Sequence, residues 1–425
     1  MLRIKIPFLL LLNFGLFSLT FKEAKEIALS KNRELTISEL EVKKAELVMR
    51  ESWASFYPTV NFQSSYTRLL SVPQFEMETP FGKQYISLGY PDNFKNSLQI
   101  TFPVFTFGKR LIAKEIGERS KEIQDFQYQA DKISLLKDLV TVYYGVVVAK
   151  EGVKIAEEAL ERAKAHLNTA RIQYSVGRIT KLDLLSAETE YNKQKTELLN
   201  AKNGLTQAHS ALNIMLGFPL DSVVEIEDKM EVEIDSFNLD SLTILALNKR
   251  PEIQSIKKLT ELSNLSQSLQ YLSFLPNVIF SGNFSYDKPH GFINEWDNDI
   301  TATIAITLPI FEGFSRTNNI KKYRLSVEQA KIKKELVEEG IKMEIKNLFL
   351  TYRLHKENLK LAEEQLKRAK EAYQMAETQY KIGYISTLEY KDIELGYRSA
   401  EFARLNALYN LIVSKEQVKI ATMMN

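Results

Sequence analysis

The 425-residue chain contains no cysteine. Disulfides, thiolate metal sites and cysteine nucleophiles are therefore excluded. Histidine is scarce: His166, His209, His290 and His355 stand far apart. No histidine–carboxylate group has the spacing of a metal site. The stretch Phe107-Gly108-Lys109-Arg110 lacks the second glycine and the Ser/Thr of a phosphate loop. Net charge is only +2, so no broad field of one sign points to nucleic acid. Carboxylate pairs such as Glu157-Glu158 and Glu338-Glu339 lie in helical charge patterns and read as wet surface. These absences argue against an enzyme and call for no cofactor.

Long apolar runs are also missing after the N-terminus. Residues 1–20 read as a secretory signal peptide: Arg3 and Lys5 precede an apolar stretch from Phe8 to Leu19. No A-x-A precedes Phe21, and Ser18 or Thr20 are the tolerable cleavage positions. The other reading is an uncleaved anchor, but the run is shorter than the ~20 residues of a spanning helix. No later segment is apolar enough to cross as a helix. If the chain enters a membrane, strands must do it.

The sequence repeats itself. Gln173-Tyr174-Ser175-Val176-Gly177-Arg178-Ile179-Thr180 recurs as Gln379-Tyr380-Lys381-Ile382-Gly383-Tyr384-Ile385-Ser386, at an offset of 206 (383 − 177). Leu182 and Leu388, Tyr191 and Tyr397, Pro103 and Pro309, and Arg110 and Arg316 share that offset. Upstream it becomes 218 (276 − 58), relating Pro58 to Pro276 and Ala28-Leu29 to Ala246-Leu247. The extra residues fall between Pro58 and Pro103. An internal duplication of this size governs the whole fold.

Each repeat switches period twice. Helical patterning over 21–57 stops at Pro58, and 59–68 then alternates Val60, Phe62 and Tyr66 with Asn61, Gln63 and Ser65. Residues 69–93 look irregular, and 96–105 alternates again. Helices are expected over 108–176 and 180–216, with Leu184, Tyr191, Leu198, Leu205 and Leu212 at heptad spacing. Residues 217–238 form a connector with short extended pieces near Val223–Ile226 and Val232–Ile234. The second repeat, 239–425, mirrors the first: helices 239–275, 314–382 and 386–424, strands 277–286 and 299–311. Each strand is near the ~9–11 residues of a tilted transmembrane β-strand. One apolar and one hydroxyl-and-amide face suit lipid outside and water inside. Taken alone, they also suit a soluble sheet packed on a core. Four strands cannot close a membrane barrel, so other subunits must complete it; two copies would give eight strands and three would give twelve.

The pattern resembles the TolC-like outer-membrane efflux family over essentially the whole mature chain. The residues that carry it are Leu212 to Leu220 at the repeat junction, Ala28-Leu29 followed by Asn32, Ala246-Leu247 followed by Pro251-Glu252, and the two Tyr-x-Val/Ile-Gly turns. The resemblance implies a mainly α fold with transmembrane β. The duplicated unit of long coiled-coil helices plus two strands would form a homotrimer, its twelve-stranded β-barrel continued by a twelve-helix α-barrel. It implies an outer-membrane location with the helical part in the periplasm, contact with outer-membrane lipid, and passive export in company with a periplasmic adaptor and an inner-membrane transporter. The alternative is a periplasmic coiled-coil adaptor without a pore. By the same resemblance, the adaptor-docking turns are Val176, Gly177, Arg178, Thr180, Ile382, Gly383, Tyr384 and Ser386, where Arg178 and Tyr384 replace the family's leucine. The residues alone account for these turns as glycine reversals with Thr or Ser helix caps. The periplasmic constriction falls on Asn168, Arg171, Gln374 and Glu377, with Arg171 and Glu377 expected to pair across helices. A solvated helix face is the other reading of those four.

Overall fold

The computed structural model describes residues 18–227, 230–291 and 293–424. A strand β1 (Ser18–Leu19) leads into helices α1 (Phe21–Lys31) and α2 (Arg33–Ala54). Strands β2 (Thr59–Arg68), β3 (Gln74–Thr79), β4 (Gly82–Ser87) and β5 (Asp92–Phe105) follow, then helices α3 (Lys109–Ser175) and α4 (Lys181–Leu216). After β6 (Glu225–Ile226) come α5 (Leu239–Lys249), α6 (Pro251–Leu272), β7 (Asn277–Lys288), β8 (Asp297–Thr307), α7 (Ser315–Lys381) and α8 (Thr387–Thr422). Helix lengths of 11, 22, 67 and 36 residues occur in that order in both halves. At 1.5 Å per residue the 67-residue helices are each roughly 100 Å long.

Several expectations are corrected. The helices expected over 21–57 and 239–275 are each two. Asn32 is extended at φ −61° and ψ 131°, and its Oδ1 accepts from Leu35 N–H to start α2. Arg250 is likewise extended, as a residue before proline must tend to be. The stretch 69–93 contains a hairpin, β3 pairing with β4 around Pro80 and Phe81. In the connector only Glu225–Ile226 is a strand, pairing in parallel with Ser18–Leu19; Val232–Ile234 forms none. The strand expected over 96–105 starts four residues earlier, and that over 277–286 runs on to Lys288. The one expected over 299–311 spans Asp297–Thr307, because Pro309 has no N–H for a ladder. Of the expected signal, residues 1–17 lie outside the described residues, but Ser18 to Thr20 belong to the fold. Leu19 is buried, its carbonyl accepts from Tyr143 Oη at 2.7 Å, and Thr20 caps α1.

The structure divides into two units. One comprises Glu41–Phe126 and Gln254–Leu336 and holds the four-stranded sheet. Its order is β2-β5-β7-β8, antiparallel throughout, so the two repeats join at the β5–β7 pair. The registers sort most of the side chains by character. Val60, Phe62, Leu98, Ile100, Phe284, Ile300 and Ile304 share one face; Asn61, Gln63, Gln99, Ser97, Asn283, Thr301 and Thr303 share the other. Strands β2 and β8 are the edges and have no partner on their outer sides among the described residues. At the sheet's β7–β8 turn, Trp296 stacks on Tyr286 (5.0 Å) and meets Phe94 (5.7 Å), which meets Tyr66 (4.8 Å). Below the strands, Arg110 lies over Phe56 and Phe102, and Arg119 and Lys258 bind carboxylates across α3 and α6.

The other unit comprises 1–40, Gln127–Ile253 and Val337–Asn425. Four apolar clusters hold it: a large one for each repeat, and a smaller one behind each helical turn, Leu167, Ala170, Leu184 and Ala187 in the first repeat and Ala376, Tyr380 and Tyr390 in the second. Leu139, Tyr143, Val146, Leu212 and Leu216 are central to the first large cluster; Ile345, Tyr352, Leu408 and Leu411 are central to the second.

Candidate functional site

The two helical turns form by one mechanism. At the end of α3, Arg178 N–H donates to the Gln173 carbonyl (2.9 Å) and Gly177 N–H to that of Tyr174 (3.0 Å). At the end of α7, Tyr384 N–H donates to Gln379 (2.8 Å) and Gly383 N–H to Tyr380 (3.0 Å). This Schellman pattern needs a left-handed residue, and Gly177 and Gly383 supply it at φ 72° and 80°. The next helix then starts at once. Thr180 Oγ1 accepts from Asp183 N–H while Asp183 Oδ2 accepts from Thr180 N–H (3.0 Å). Ser386 and Glu389 repeat the box. The hydroxyl and amide bonds hold both carboxylates below their ordinary pKa.

The expected tip residues come together in these turns. Val176, Ile382 and Tyr384 are exposed to 63, 76 and 78 %, and Leu182 and Leu388 to 76 and 69 %. Each tip thus carries apolar side chains that the chain itself leaves in solvent, on a rigid reversal. The four constriction residues lie just behind. Asn168, Arg171 and Gln374 are exposed and Glu377 is half-buried. The expected pairing of Arg171 with Glu377 is corrected within this chain. Arg171 reaches Glu188 on α4 at 3.6 Å, and Glu377 takes Lys381 at 2.9 Å. Lys381 stands one turn along on the same helix, so this local pair forms without ordering a second element.

A cluster that sequence reasoning missed sits between the hairpins. The buried imidazole of His166 stacks on Tyr390 (5.2 Å, 5°) and Tyr380 (5.0 Å, 26°). Tyr380 and Tyr390 stack on each other at 4.8 Å, and Tyr373 Oη meets Tyr390 Oη at 3.3 Å. Burial, with Lys391 nearby, lowers His166 to about 4 against the opposing Glu190, so the ring is neutral at pH 7. Next to it Arg162 bridges Glu394 (3.7 Å) and Glu401 (3.4 Å) and lies over Tyr397. Burial pushes Glu394 up even so. Lys391 Nζ donates to the Ser186 carbonyl (2.9 Å) and Oγ (2.8 Å). Together these contacts tie α3, α4, α7 and α8 behind the turns. The available signal was the pair of tyrosines at heptad spacing on either side of the second turn, Tyr373 and Tyr380, then Tyr390 and Tyr397; four lone histidines gave none. The described residues hold no group of three or more metal-ligating side chains, and no helix long and apolar enough to cross a membrane.

Comparison with known proteins bears on this architecture. The chain is similar to the outer membrane protein TolC of Escherichia coli, 20 % identical over 345 residues, covering 76 % of this chain and 68 % of TolC. Its fold matches the Campylobacter jejuni CmeC outer membrane channel at a TM-score of 0.80 and 18 % identity, covering 95 % of this chain and 85 % of that one. The open state of the Neisseria gonorrhoeae MtrE outer membrane channel matches at 0.77 and 17 %, covering 95 and 88 %. The outer membrane efflux protein family matches residues 25–218 and 242–422, nearly the whole described chain, and the protein belongs to that family.

Proposed function

We propose that the protein is the exit duct of a three-part export machine. It forms a homotrimer in the outer membrane. Its sheet completes a barrel with those of two further copies, and its helices extend into the periplasm. A periplasmic adaptor docks on the helical turns and couples the duct to an inner-membrane transporter. Solute then passes out without chemistry in the duct itself.

The observation that carries this reading is the sheet. One face is mainly Val, Ile, Leu and Phe, the other mainly Asn, Gln, Ser and Thr, and both edge strands lack partners among the described residues. A soluble sheet buries its apolar face; here Phe62, Ile300 and Ile304 are 70, 79 and 71 % exposed. Lipid covers such a face, and water fills a lumen lined by amides and hydroxyls. The open edges are closed by β2 of one copy meeting β8 of the next.

The turns support adaptor docking through Val176, Gly177, Arg178, Thr180, Ile382, Gly383, Tyr384 and Ser386, since their apolar side chains are exposed on a fixed backbone. Asn168, Arg171, Gln374 and Glu377 narrow the entrance behind them. Reconstitution in planar bilayers tests the duct: purified protein is expected to run as a trimer and to give discrete conductance steps. A monomer that stays soluble and leaves bilayers silent would refute it. Glu377→Ala is expected to raise single-channel conductance; an unchanged value removes Glu377 from the gate. Because the chain has no cysteine, a single Tyr384→Cys gives an unambiguous crosslinking site for the adaptor.

A further inference from the structure

The duplication places two equivalent pockets at the helix breaks, and only one is filled. In the second repeat the break residue is Arg250, 5 % exposed. Its guanidinium binds Glu252 through Nε (3.0 Å) and Nη2 (2.6 Å), Glu344 through Nη1 (3.0 Å) and the Ala421 carbonyl at 3.3 Å. In the first repeat the break residue is Asn32. The two offsets relate Glu252 to Glu34, Glu344 to Asp138 and Ala421 to Met215. Asn32 Nδ2 donates to that same carbonyl, Met215 O, at 3.0 Å, but its side chain stops there. Glu34 and Asp138 are both exposed, and neither has an ion-pair or hydrogen-bond partner among the described residues. A cavity of about 730 Å³ opens where the second repeat has its guanidinium. Glu34, Asp138 and Asn32 line it, and Met215, Phe218 and Leu220 form an apolar wall.

The nearby cations are otherwise engaged or placed. Lys31 lies over the Phe218 ring at 5.2 Å, and Lys137 pairs with Glu344. Asp131, a further carboxylate on the wall, is held by Ser38 (2.5 Å) and Gln127 (2.9 Å). Arg33 lines the rim at the position where the second repeat has Pro251; it is exposed and unpaired among the described residues.

We propose that this cavity is a binding site for a guanidinium group on an apolar stem, as an arginine side chain presents. The chain itself displays the bound geometry in its other half: two carboxylates in a fork and one carbonyl around a planar cation. The corresponding residues, Glu34, Asp138 and Met215, line the cavity in the first half with no cation between them. A planar fork of five donors matches it, and a compact ammonium does not. The apolar wall accommodates the methylene stem.

The test is binding of Nα-acetyl-arginine amide to the detergent-solubilised full chain, followed by saturation-transfer difference NMR. Saturable binding is expected, with Nα-acetyl-lysine amide at least about fivefold weaker. Glu34→Gln with Asp138→Asn should weaken arginine binding about tenfold or more. Asn32→Arg should abolish it by filling the site from within, as Arg250 does. No saturable binding, equal binding of the lysine probe, or full binding by the doubly neutralised variant would overturn the assignment. A blocked Leu-Arg-Leu tripeptide then separates the sources. Tighter binding than the single residue assigns the group to a segment of a partner protein. Equal binding assigns it to a small guanidinium solute.

Discussion

Two glycines with nearly the same backbone angle carry different burdens. Gly177 stands at φ 72° and Gly217 at φ 71°. A Cβ on Gly177 meets open space, whereas one on Gly217 runs into the Lys31 carbonyl oxygen. Gly177→Ala therefore adds only left-handed strain, on the order of 1–2 kcal/mol. Gly217→Ala adds that strain and displaces α1 from the end of α4, so its loss on denaturant unfolding should be about twice as large or more. Glu252 gives a second prediction. Burial alone would raise its pKa, but Arg250 holds it below the ordinary carboxylate value. Its ionised form thus stabilises the fold above the unfolded pKa of about 4.3, and that contribution fades as pH falls through the lower folded value. Glu252→Gln should flatten the stability profile between about pH 5 and 3, measured by thermal unfolding. Single-residue geometry was the least legible level. Glycines and caps follow from turn chemistry, and both turns read true. The partner of Arg171 did not, because Glu188 and Lys381 compete for charges that spacing alone cannot allot.

At the level of elements, periodicity was a good guide where helices are long and a poor one at their interruptions. Helices α3 and α7 each run uninterrupted for 67 residues. The breaks at Asn32 and Arg250 leave the apolar spacing nearly intact, so they are set by capping and by Pro251 rather than by pattern. The β3–β4 hairpin looked irregular because Pro80 and Gly82, which build its turn, also mark loops. At the N-terminal boundary, Ser18 and Leu19 end the expected signal, and they pair with Glu225 and Ile226. Removal of residues through Thr20 would take away this pairing and the α1 cap. N-terminal sequencing of the mature protein is therefore expected to begin at or before Ser18; a start at Phe21 would contradict the role given to β1.

For the molecule as a whole, the duplication was readable from two offsets, and the alternation of each strand from its own residues. Strand order was not. β5 and β7 are neighbours although four helices, α3 to α6, separate them in the chain, and no local signal encodes so distant a pairing. The two faces yield a sharp contrast. Ile304 pairs with Phe280 on the apolar face, and Thr303 pairs with Ser281 on the polar one. Ile304→Arg should cost about 2–4 kcal/mol if it meets lipid near the midplane. Thr303→Arg should leave stability nearly unchanged and alter ion selectivity. Folding yield into vesicles and reversal potential in bilayers read the two effects.

The outer rims of β2 and β8, unpaired among the described residues, also bear on the order of events that the proposed trimer implies for biogenesis. Hydrocarbon offers no donor or acceptor to the naked amides along those rims. A solitary newcomer therefore has no acceptable way into the bilayer, however greasy its outer side. In the proposed trimer, companions would be recruited while water still attends those groups, and insertion would depend steeply on how many fresh chains are present at once.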